Sequence, residues 1–301
     1  MKTVILASFL LGIGAISNAS AQEKRTPAAT GREEYVEVEK NVRLHVTDIG
    51  EGKPIVLIHG WPLSDAMYEY QYQSLVEKGF RLIGITLRGF GKSDKPYGKY
   101  NYEVFADDIK VVLDKLGVHD VILGGFSMGG AISVYYVAKY KAAHVSKLAL
   151  FGAAVPVWTQ RADFAIGLTK GQANELIALS RTNRPQLYED FGKIFAANET
   201  SVSSGLGNWL GAINMEASPY AATQCLIALR DTDLRPQLHH IDIPVAIFHG
   251  TKDKICDFSL AAEMKKGLKH SFIVKFENSG HGLFIEELNK FNNELEKFAN
   301  K

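Results

Sequence analysis

The pentapeptide at residues 125–129 carries the strongest chemical signal in this sequence of 301 residues. It reads Gly125-Phe126-Ser127-Met128-Gly129, the Gly-x-Ser-x-Gly pattern of a serine exposed on a sharp turn between a strand and a helix. A short apolar run precedes it, and a stretch typical of a helix follows it. This order predicts that Ser127 is a nucleophile. The alternative is a glycine-rich turn with an incidental serine.

A serine hydroxyl needs a base to accept its proton and an acid to orient that base. Asp253 follows the apolar run 245–248, at the end of a predicted strand where catalytic groups gather in parallel sheets. Asp257 is a weaker candidate for the acid. His281 lies between two glycines after the last predicted strand, and we predict that it is the base. The alternatives are a turn or cap role for Asp253 and a solvated loop position for His281.

An oxyanion also needs hydrogen-bond donors. The backbone N–H of Met128, directly after the serine, is the first predicted donor. The second should come from the segment His59-Gly60-Trp61-Pro62, which follows the apolar run 55–58. Pro62 has no N–H, so the backbone of Trp61 is the best remaining donor. The same segment is also compatible with a simple strand-ending turn.

We predict neither a metal site nor a cofactor site. His239 and His240 are adjacent and point in different directions, which makes them a poor metal pair. His249 ends a predicted strand and is interpreted as structural. The sequence contains no Cys-x-x-Cys pair. Its two cysteines, Cys225 and Cys256, could form a disulfide after export or remain as buried free thiols.

The elements that must position these residues alternate between strand and helix. Apolar runs at 55–58, 82–85, 121–123, 148–151, 245–248 and 272–274 are typical of strands buried on both faces. Helical stretches lie between most of them, so we predict an α/β fold with a mostly parallel sheet and helices on both faces. Residues 35–38 and 42–48 alternate apolar and polar, which predicts an antiparallel pair. Residues 282–300 are predicted to form a closing helix.

The alternation is interrupted between the runs at 148–151 and 245–248. The intervening segment has patchy amphipathic spacing, which predicts a helical lid insertion at about residues 152–240 over the carboxyl edge of the sheet. A separate helical domain is the alternative. Four large apolar side chains of this segment are candidates for either the pocket wall or the core of the lid: Trp158, Phe164, Trp209 and Met215.

The first 21 residues are typical of an export signal. A lysine precedes an apolar stretch at 4–16, and Ala19-Ser20-Ala21 is a small-residue cleavage site. The alternative is an N-terminal membrane anchor, but the apolar stretch is short for a stable membrane span. We therefore expect an exported, periplasmic or secreted, domain at residues 22–301. Its formal charge is neutral, which gives no electrostatic reason to bind nucleic acid or an anionic membrane.

Several motifs in the same order resemble the α/β-hydrolase superfamily and, more narrowly, its cofactor-free (non-haem) chloroperoxidase and aryl-esterase group. They are His59-Gly60-Trp61-Pro62, Arg88-Gly89-Phe90-Gly91-Lys92-Ser93-Asp94, residues 125–130, His249-Gly250-Thr251-Lys252-Asp253 and Gly280-His281-Gly282. Members often carry Asp shortly before Arg-Gly-x-Gly, where this chain has Ile85-Thr86-Leu87. Members of the chloroperoxidase type generally lack an export signal.

The resemblance implies a serine hydrolase that acts on small carboxylic esters or lactones, without a cofactor, through an acyl-enzyme on Ser127. A serine at this position argues against the epoxide hydrolases and haloalkane dehalogenases of the same fold, because those use a carboxylate nucleophile. One alternative is haloperoxidase or perhydrolase activity, in which peroxide replaces water and a peracid forms. Another is a non-catalytic exported binding protein on a hydrolase fold.

Overall fold

The computed structural model describes residues 32–301, and the export signal predicted at residues 1–21 lies outside the described residues. Within this part of the chain, eight strands form one sheet in the order β1-β2-β4-β3-β5-β6-β7-β8. The strands are β1 (Arg32–Glu39), β2 (Val42–Ile49), β3 (Lys53–Ile58), β4 (Phe80–Ile85), β5 (Val121–Phe126), β6 (Val145–Phe151), β7 (Val245–Gly250) and β8 (Ser271–Phe276).

The six neighbouring strands β4, β3, β5, β6, β7 and β8 are parallel. In contrast, β1 and β2 pair antiparallel with each other, and β2 pairs antiparallel with β4. The central strands are buried on both faces, as their unbroken apolar runs predict. In β3, Ile55 and Leu57 belong to one hydrophobic cluster, while Val56 and Ile58 belong to the cluster on the other face. The predicted α/β fold with a mostly parallel sheet is confirmed.

Helices cover both faces of this sheet. Their bounds are α1 (Glu69–Glu77), α2 (Tyr102–Leu116), α3 (Met128–Tyr140), α4 (Lys170–Thr182), α5 (Arg184–Phe195), α6 (Ser204–Met215), α7 (Pro219–Asp231), α8 (Arg235–Leu238), α9 (Ser259–Gly267), α10 (Leu283–Glu286) and α11 (Leu288–Asn300). Phe105 of α2 and Ile132 of α3 pack in the cluster on one face, whereas Leu75 of α1 and Phe291 of α11 pack in the other. In the described residues, no helix is long and apolar enough to cross a bilayer.

Helices α4 to α8 all lie between β6 and β7, as the patchy amphipathic spacing of that segment predicts. We call them the helical insertion. No strand forms there within the described residues, apart from the isolated bridges Thr159–Leu168 and Arg161–Phe164. Leu187 of α5 and Leu226 of α7 belong to the same hydrophobic cluster as residues of the sheet. The insertion therefore packs directly on the domain that carries the candidate site.

The closing segment differs from the single helix predicted at residues 282–300. Helix α10 ends at Glu286, and α11 begins at Leu288. The intervening Glu287 has φ −116° and ψ 52°, outside the helical region. Its carboxylate accepts hydrogen bonds from the Asn278 N–H at 3.0 Å and the Ser279 hydroxyl at 2.7 Å. These tertiary contacts fix the kink between the two helices, and sequence periodicity does not report them.

Candidate active site

Ser127 stands at the turn between β5 and α3. Its backbone has φ 53° and ψ −118°, a conformation that residues other than glycine adopt rarely and at a cost of about 1–3 kcal/mol. Hydrogen bonds hold it there: the Ser127 N–H donates to the Phe151 carbonyl at 2.9 Å, and its carbonyl accepts from the N–H groups of Gly130 at 3.0 Å and Ala154 at 3.1 Å. The predicted sharp turn between strand and helix is therefore present.

The glycines of the pentapeptide allow the close approach of strand and helix at this turn. A Cβ on Gly129 would lie 2.5 Å from the Ile58 carbonyl oxygen, and a Cβ on Gly125 would lie 2.6 Å from the Ser133 hydroxyl oxygen. Both separations are shorter than van der Waals contact. Only glycine fits at these two positions without moving the backbone of β3 or α3.

The structure brings His281 and Asp253 together. The Nδ1 atom of His281 lies 2.7 Å from Oδ2 of Asp253, and both side chains are almost fully buried. The other oxygen, Oδ1, accepts hydrogen bonds from the backbone N–H groups of Ile255 and Cys256, each at 2.8 Å. A carboxylate held in this way makes Nδ1 the protonated nitrogen of His281, which leaves Nε2 free to accept a proton.

His281 lies at the same edge of the sheet as Ser127. Its ring packs against Phe126, the residue before the serine, with 4.6 Å between ring centroids. Phe195, at the end of α5, covers the ring edge-on at 5.7 Å. Within residues 32–301, no hydrogen bond links the Ser127 hydroxyl to His281, and the side-chain partner of this hydroxyl is the Cys256 thiol. The base and the serine therefore lie at one edge of the sheet without a direct hydrogen bond. The hydrogen bond between a nucleophile and its base often forms only when substrate is bound.

The two predicted oxyanion donors also lie at this edge. The N–H groups of Trp61 and Met128 donate no hydrogen bond to any residue that the structure describes. Met128 is the first residue of α3, where the backbone N–H groups have no partner inside the helix. Trp61 follows the carboxyl end of β3, beside the turn that carries Ser127. Both donors are therefore available to a developing negative charge.

A buried histidine fixes the loop that carries Trp61. The Nε2 atom of His59 accepts a hydrogen bond from the Leu87 N–H at 3.0 Å, so its Nδ1 carries the proton and donates to the Gly60 carbonyl at 2.9 Å. Burial lowers the pKa of His59 to about 4, although the bond to Gly60 acts in the opposite direction. His59 is therefore neutral near pH 7 and holds the loop through both ring nitrogens.

The same loop is connected to the helical insertion through the side chain of Trp61. The indole Nε1–H donates to the carbonyl of Ala222 in α7 at 2.9 Å. The indole packs edge-on against Tyr188 and Phe191 of α5, with centroid separations of 5.6 and 5.4 Å. The insertion therefore touches both a predicted oxyanion donor, through Trp61, and the predicted base, through Phe195.

A cavity of about 600 Å³ opens between this loop and the insertion. It is lined mainly by apolar side chains, among them Trp61, Phe191, Phe195, Leu210 and Met215. Of the four residues predicted as pocket wall or lid core, Met215 lines this cavity. Trp158 and Phe164 are buried in the core, and Trp209 packs against Tyr70. Trp158 also borders a second cavity of about 290 Å³.

Thr86, in the segment before Arg88 where the sequence departs from the family pattern, contacts a carboxylate from another segment. Its hydroxyl donates to Oδ1 of Asp65. The second oxygen of Asp65 accepts from Thr47 at 2.6 Å and from Tyr72 at 3.0 Å. Asp65 begins the helical turn that follows the Trp61 loop. The departure in sequence therefore coincides with a buried carboxylate that joins this loop to β2 and to the end of β4.

Three side chains near the site were not identified from the sequence or were given only a general role. His249, interpreted as structural, contacts the Cys256 carbonyl at 2.7 Å and supports the loop that carries Asp253. Phe195 was part of a predicted helix, but nothing in the sequence indicates its contact with His281. Glu286 lies in the predicted closing helix, and its contacts, described below, have no signal in the sequence.

Cys225 and Cys256 are both free and buried, so the structure contains no disulfide between them. Burial raises the pKa of both thiols, which keeps them protonated at neutral pH. In residues 32–301 no group of three or more His, Cys, Asp or Glu side chains is arranged to hold a metal ion.

The sheet order, the turn at Ser127 and the loops at the carboxyl ends of the strands define an α/β hydrolase. The family model described as alpha/beta hydrolase fold matches residues 53–288. The chain therefore belongs to the α/β-hydrolase family.

Individual relatives narrow this assignment. The AB hydrolase superfamily protein YisY of Bacillus subtilis is 45% identical over 88% of this chain and 98% of the relative. A putative non-heme chloroperoxidase of Synechocystis sp. is 30% identical over 80% of this chain and 89% of the relative. Among solved structures, an esterase from Exiguobacterium antarcticum matches with a TM-score of 0.87 at 40% identity, over 90% of this chain and 100% of that chain. The resemblance to the chloroperoxidase and esterase group is confirmed.

Proposed function

We propose that the chain is a serine hydrolase that cleaves small carboxylic esters or lactones through an acyl-enzyme. The observation that carries the proposal is the buried pair of Asp253 and His281, 2.7 Å apart, at the same sheet edge as the strained Ser127. Asp253 keeps a proton on Nδ1 of His281. Nε2 then accepts the proton of the Ser127 hydroxyl while the serine oxygen attacks the carbonyl carbon of the substrate.

The negative charge that develops on the carbonyl oxygen is stabilised by the N–H groups of Trp61 and Met128. Loss of one such donor costs about 3–4 kcal/mol in the transition state. His281 next donates its proton to the leaving alcohol, and the acyl group remains on Ser127. Water, activated by His281 in the same way, then releases the acid and regenerates the serine. In a lactone the leaving alcohol stays attached, so the product is a hydroxy acid.

The test is Ser127→Ala, assayed with a panel of 4-nitrophenyl esters and lactones. We expect the wild-type protein to hydrolyse at least one short-chain ester and the variant to lose this activity. A fluorophosphonate should add its phosphonyl group to the peptide that contains Ser127, as detected by mass spectrometry. Full esterase activity in the variant would disprove the mechanism. A wild-type protein that is neither active nor labelled would instead favour the non-catalytic binding role.

A second candidate activity is perhydrolysis, supported by the similarity to a protein named a putative non-heme chloroperoxidase. Hydrogen peroxide would attack the acyl group on Ser127, releasing a peracid and the free serine. The peracid would then oxidise a halide ion and become the carboxylic acid. We expect the same Ser127→Ala variant to form neither the peracid nor the carboxylic acid. The ratio of peracid to acid at fixed peroxide and ester concentrations measures the balance between the two activities.

We also propose that the helical insertion acts as a lid and that residues 1–21 are removed on export. The lid role is supported by the contacts of Trp61 with α5 and of Phe195 with His281. The export proposal rests on the composition of the leader, which places cleavage after Ala21. N-terminal sequencing of the protein recovered from the periplasm or medium should give Gln22 as the first residue. Recovery only from the cytoplasm, with Met1 retained, would contradict export.

A further inference from the structure

Glu286, the last residue of α10, joins two segments that are distant in sequence. Its Oε2 atom accepts a hydrogen bond from the Gly280 N–H at 2.8 Å, and its Oε1 atom accepts from the Ala197 N–H at 2.7 Å. Gly280 belongs to the loop that carries His281, whereas Ala197 follows α5 of the helical insertion. One carboxylate therefore bridges the loop of the predicted base and the insertion, with a separate oxygen for each.

Two further contacts connect the same pair of segments. The Gly282 N–H donates to the Phe195 carbonyl at 3.0 Å, and the Phe195 ring packs on His281. The backbone on both sides of His281 is thus bonded to the end of α5 or to the carboxylate that holds it. A shift of α5 therefore cannot leave the imidazole undisturbed while these contacts persist.

The bridge depends on a half-buried charge. Within the described residues, no Lys, Arg or His side chain forms an ion pair with Glu286. Its polar partners are the N–H groups of Ala197 and Gly280 and the side chain of Ser201, which lies between α5 and α6. Burial and, to a smaller extent, the Asp253 carboxylate raise the pKa of Glu286, although the hydrogen bonds from Ala197, Gly280 and Ser201 act in the opposite direction. Hydrogen bonds to an ionised carboxylate are shorter and stronger than neutral ones, and the two distances agree with this.

The neighbouring Glu287 holds the same loop in a different way. Its hydrogen bonds from the Ser279 hydroxyl and the Asn278 N–H, at 2.7 and 3.0 Å, both end on one oxygen, Oε2. Neither partner belongs to the insertion. A glutamine at 287 can keep both bonds on its single carbonyl oxygen. A glutamine at 286 can keep only one, because its amide NH₂ would face the other N–H donor.

We propose that Glu286 is a positioning residue that couples the helical insertion to His281 by holding Gly280 and Ala197 on one carboxylate. Any movement of α5 that admits substrate is then transmitted to the predicted base. This inference rests on the proposed esterase function. It assigns to Glu286 a role in placing the base, without any contact with the substrate.

The test compares Glu286→Gln with Glu287→Gln, which removes the same charge one residue away. In Glu286→Gln we expect faster amide hydrogen exchange in peptides that cover both 192–204 and 277–283. In Glu287→Gln we expect no change in the peptide at 192–204. For ester hydrolysis, we expect Glu286→Gln to lower kcat about tenfold or more while KM changes by less than about threefold, since a misplaced base slows the chemical step.

Three results would overturn the proposal. One is unchanged exchange at 192–204 in Glu286→Gln. Another is an equal loss of kcat in the two variants, which would mean that order in the loop matters but its connection to the insertion does not. The third is a rise in KM with unchanged kcat, which would indicate that Glu286 only shapes the pocket. The exchange comparison needs no turnover. An inactive and unlabelled wild-type protein would therefore refute the proposed function, while the exchange data still decide whether Glu286 connects the two segments.

Discussion

Replacing Asp253 by Asn tests the predicted triad with the least change in structure. Both backbone bonds to Asp253, from Ile255 and Cys256, end on Oδ1. The asparagine oxygen should stay there, because the opposite orientation would place its NH₂ group against two N–H donors. The NH₂ group then faces Nδ1 of His281 from the position of Oδ2, 2.7 Å away.

This arrangement inverts the imidazole. A donor facing Nδ1 requires the tautomer of His281 that carries its proton on Nε2, which cannot accept a proton from Ser127. In a Ser-His-Asp triad the corresponding change lowers kcat by about 10⁴ with the geometry intact. That factor corresponds to about 5.5 kcal/mol of lost transition-state stabilisation. We expect a loss of this size for Asp253→Asn, with little change in the free energy of unfolding, because both backbone bonds remain.

The assay is steady-state hydrolysis of 4-nitrophenyl acetate, with Ser127→Ala as the baseline and urea unfolding as the check on stability. Asp257→Asn is the matched control. Asp257 is the weaker sequence candidate for the acid, and its carboxylate accepts from the Ser259 N–H at 2.8 Å, without a bond to His281. If Asp253→Asn keeps kcat within about tenfold of the wild-type value while the control behaves in the same way, the assignment of Asp253 as the orienting acid is wrong.

Two further predictions concern the effect of Gly129 and His59, which lie beside the site, on the free energy of unfolding. Gly129→Ala should lower the free energy of unfolding by about 3 kcal/mol, because its Cβ would overlap the Ile58 carbonyl; Gly207→Ala, in open space on α6, is the control in thermal melts. His59 has a pKa of about 4 when folded and about 6.5 when unfolded, so the unfolded chain binds more protons between these values. The free energy of unfolding should therefore fall by about 3 kcal/mol as the pH drops from above 6.5 to below 4. In His59→Asn, urea unfolding at a series of pH values should lack this part of the pH dependence.

The positions of Ser127, Asp253 and His281 could be predicted because each follows an apolar run that forms a parallel strand. The carboxyl ends of parallel strands meet at one edge, so residues far apart in sequence converge there without any long-range contact being known. The contact between Asp253 and His281 follows from this topology. The absence of a hydrogen bond between the Ser127 hydroxyl and His281 does not follow from it, because side-chain geometry at the edge depends on packing.

The contacts of the helical insertion could not be predicted in the same way. Its amphipathic spacing identifies helices, but it does not specify the surface against which each helix packs. Phe195 could be assigned to a helix, yet its place beside His281 depends on how α5 meets a loop 86 positions later in the chain. Glu286 is a further example, since a carboxylate that bridges two backbone N–H groups leaves no periodic pattern in the sequence.

The groups that would perform the chemistry and the groups that would choose the substrate are held by different kinds of contact. Backbone hydrogen bonds fix Ser127 and the carboxylate of Asp253, and both ring nitrogens of His59 fix the loop that carries Trp61. The insertion meets the Trp61 loop through the Trp61 side chain. It meets the His281 loop through the Phe195 ring, the bond from the Gly282 N–H to the Phe195 carbonyl, and the carboxylate of Glu286. Side-chain contacts can rearrange by changes of rotamer, whereas the backbone bonds open only with local unfolding. Sequence changes in the insertion that leave the Phe195–Gly282 bond and the Glu286 bridge intact can therefore alter the pocket while Ser127, Asp253 and His281 keep their positions.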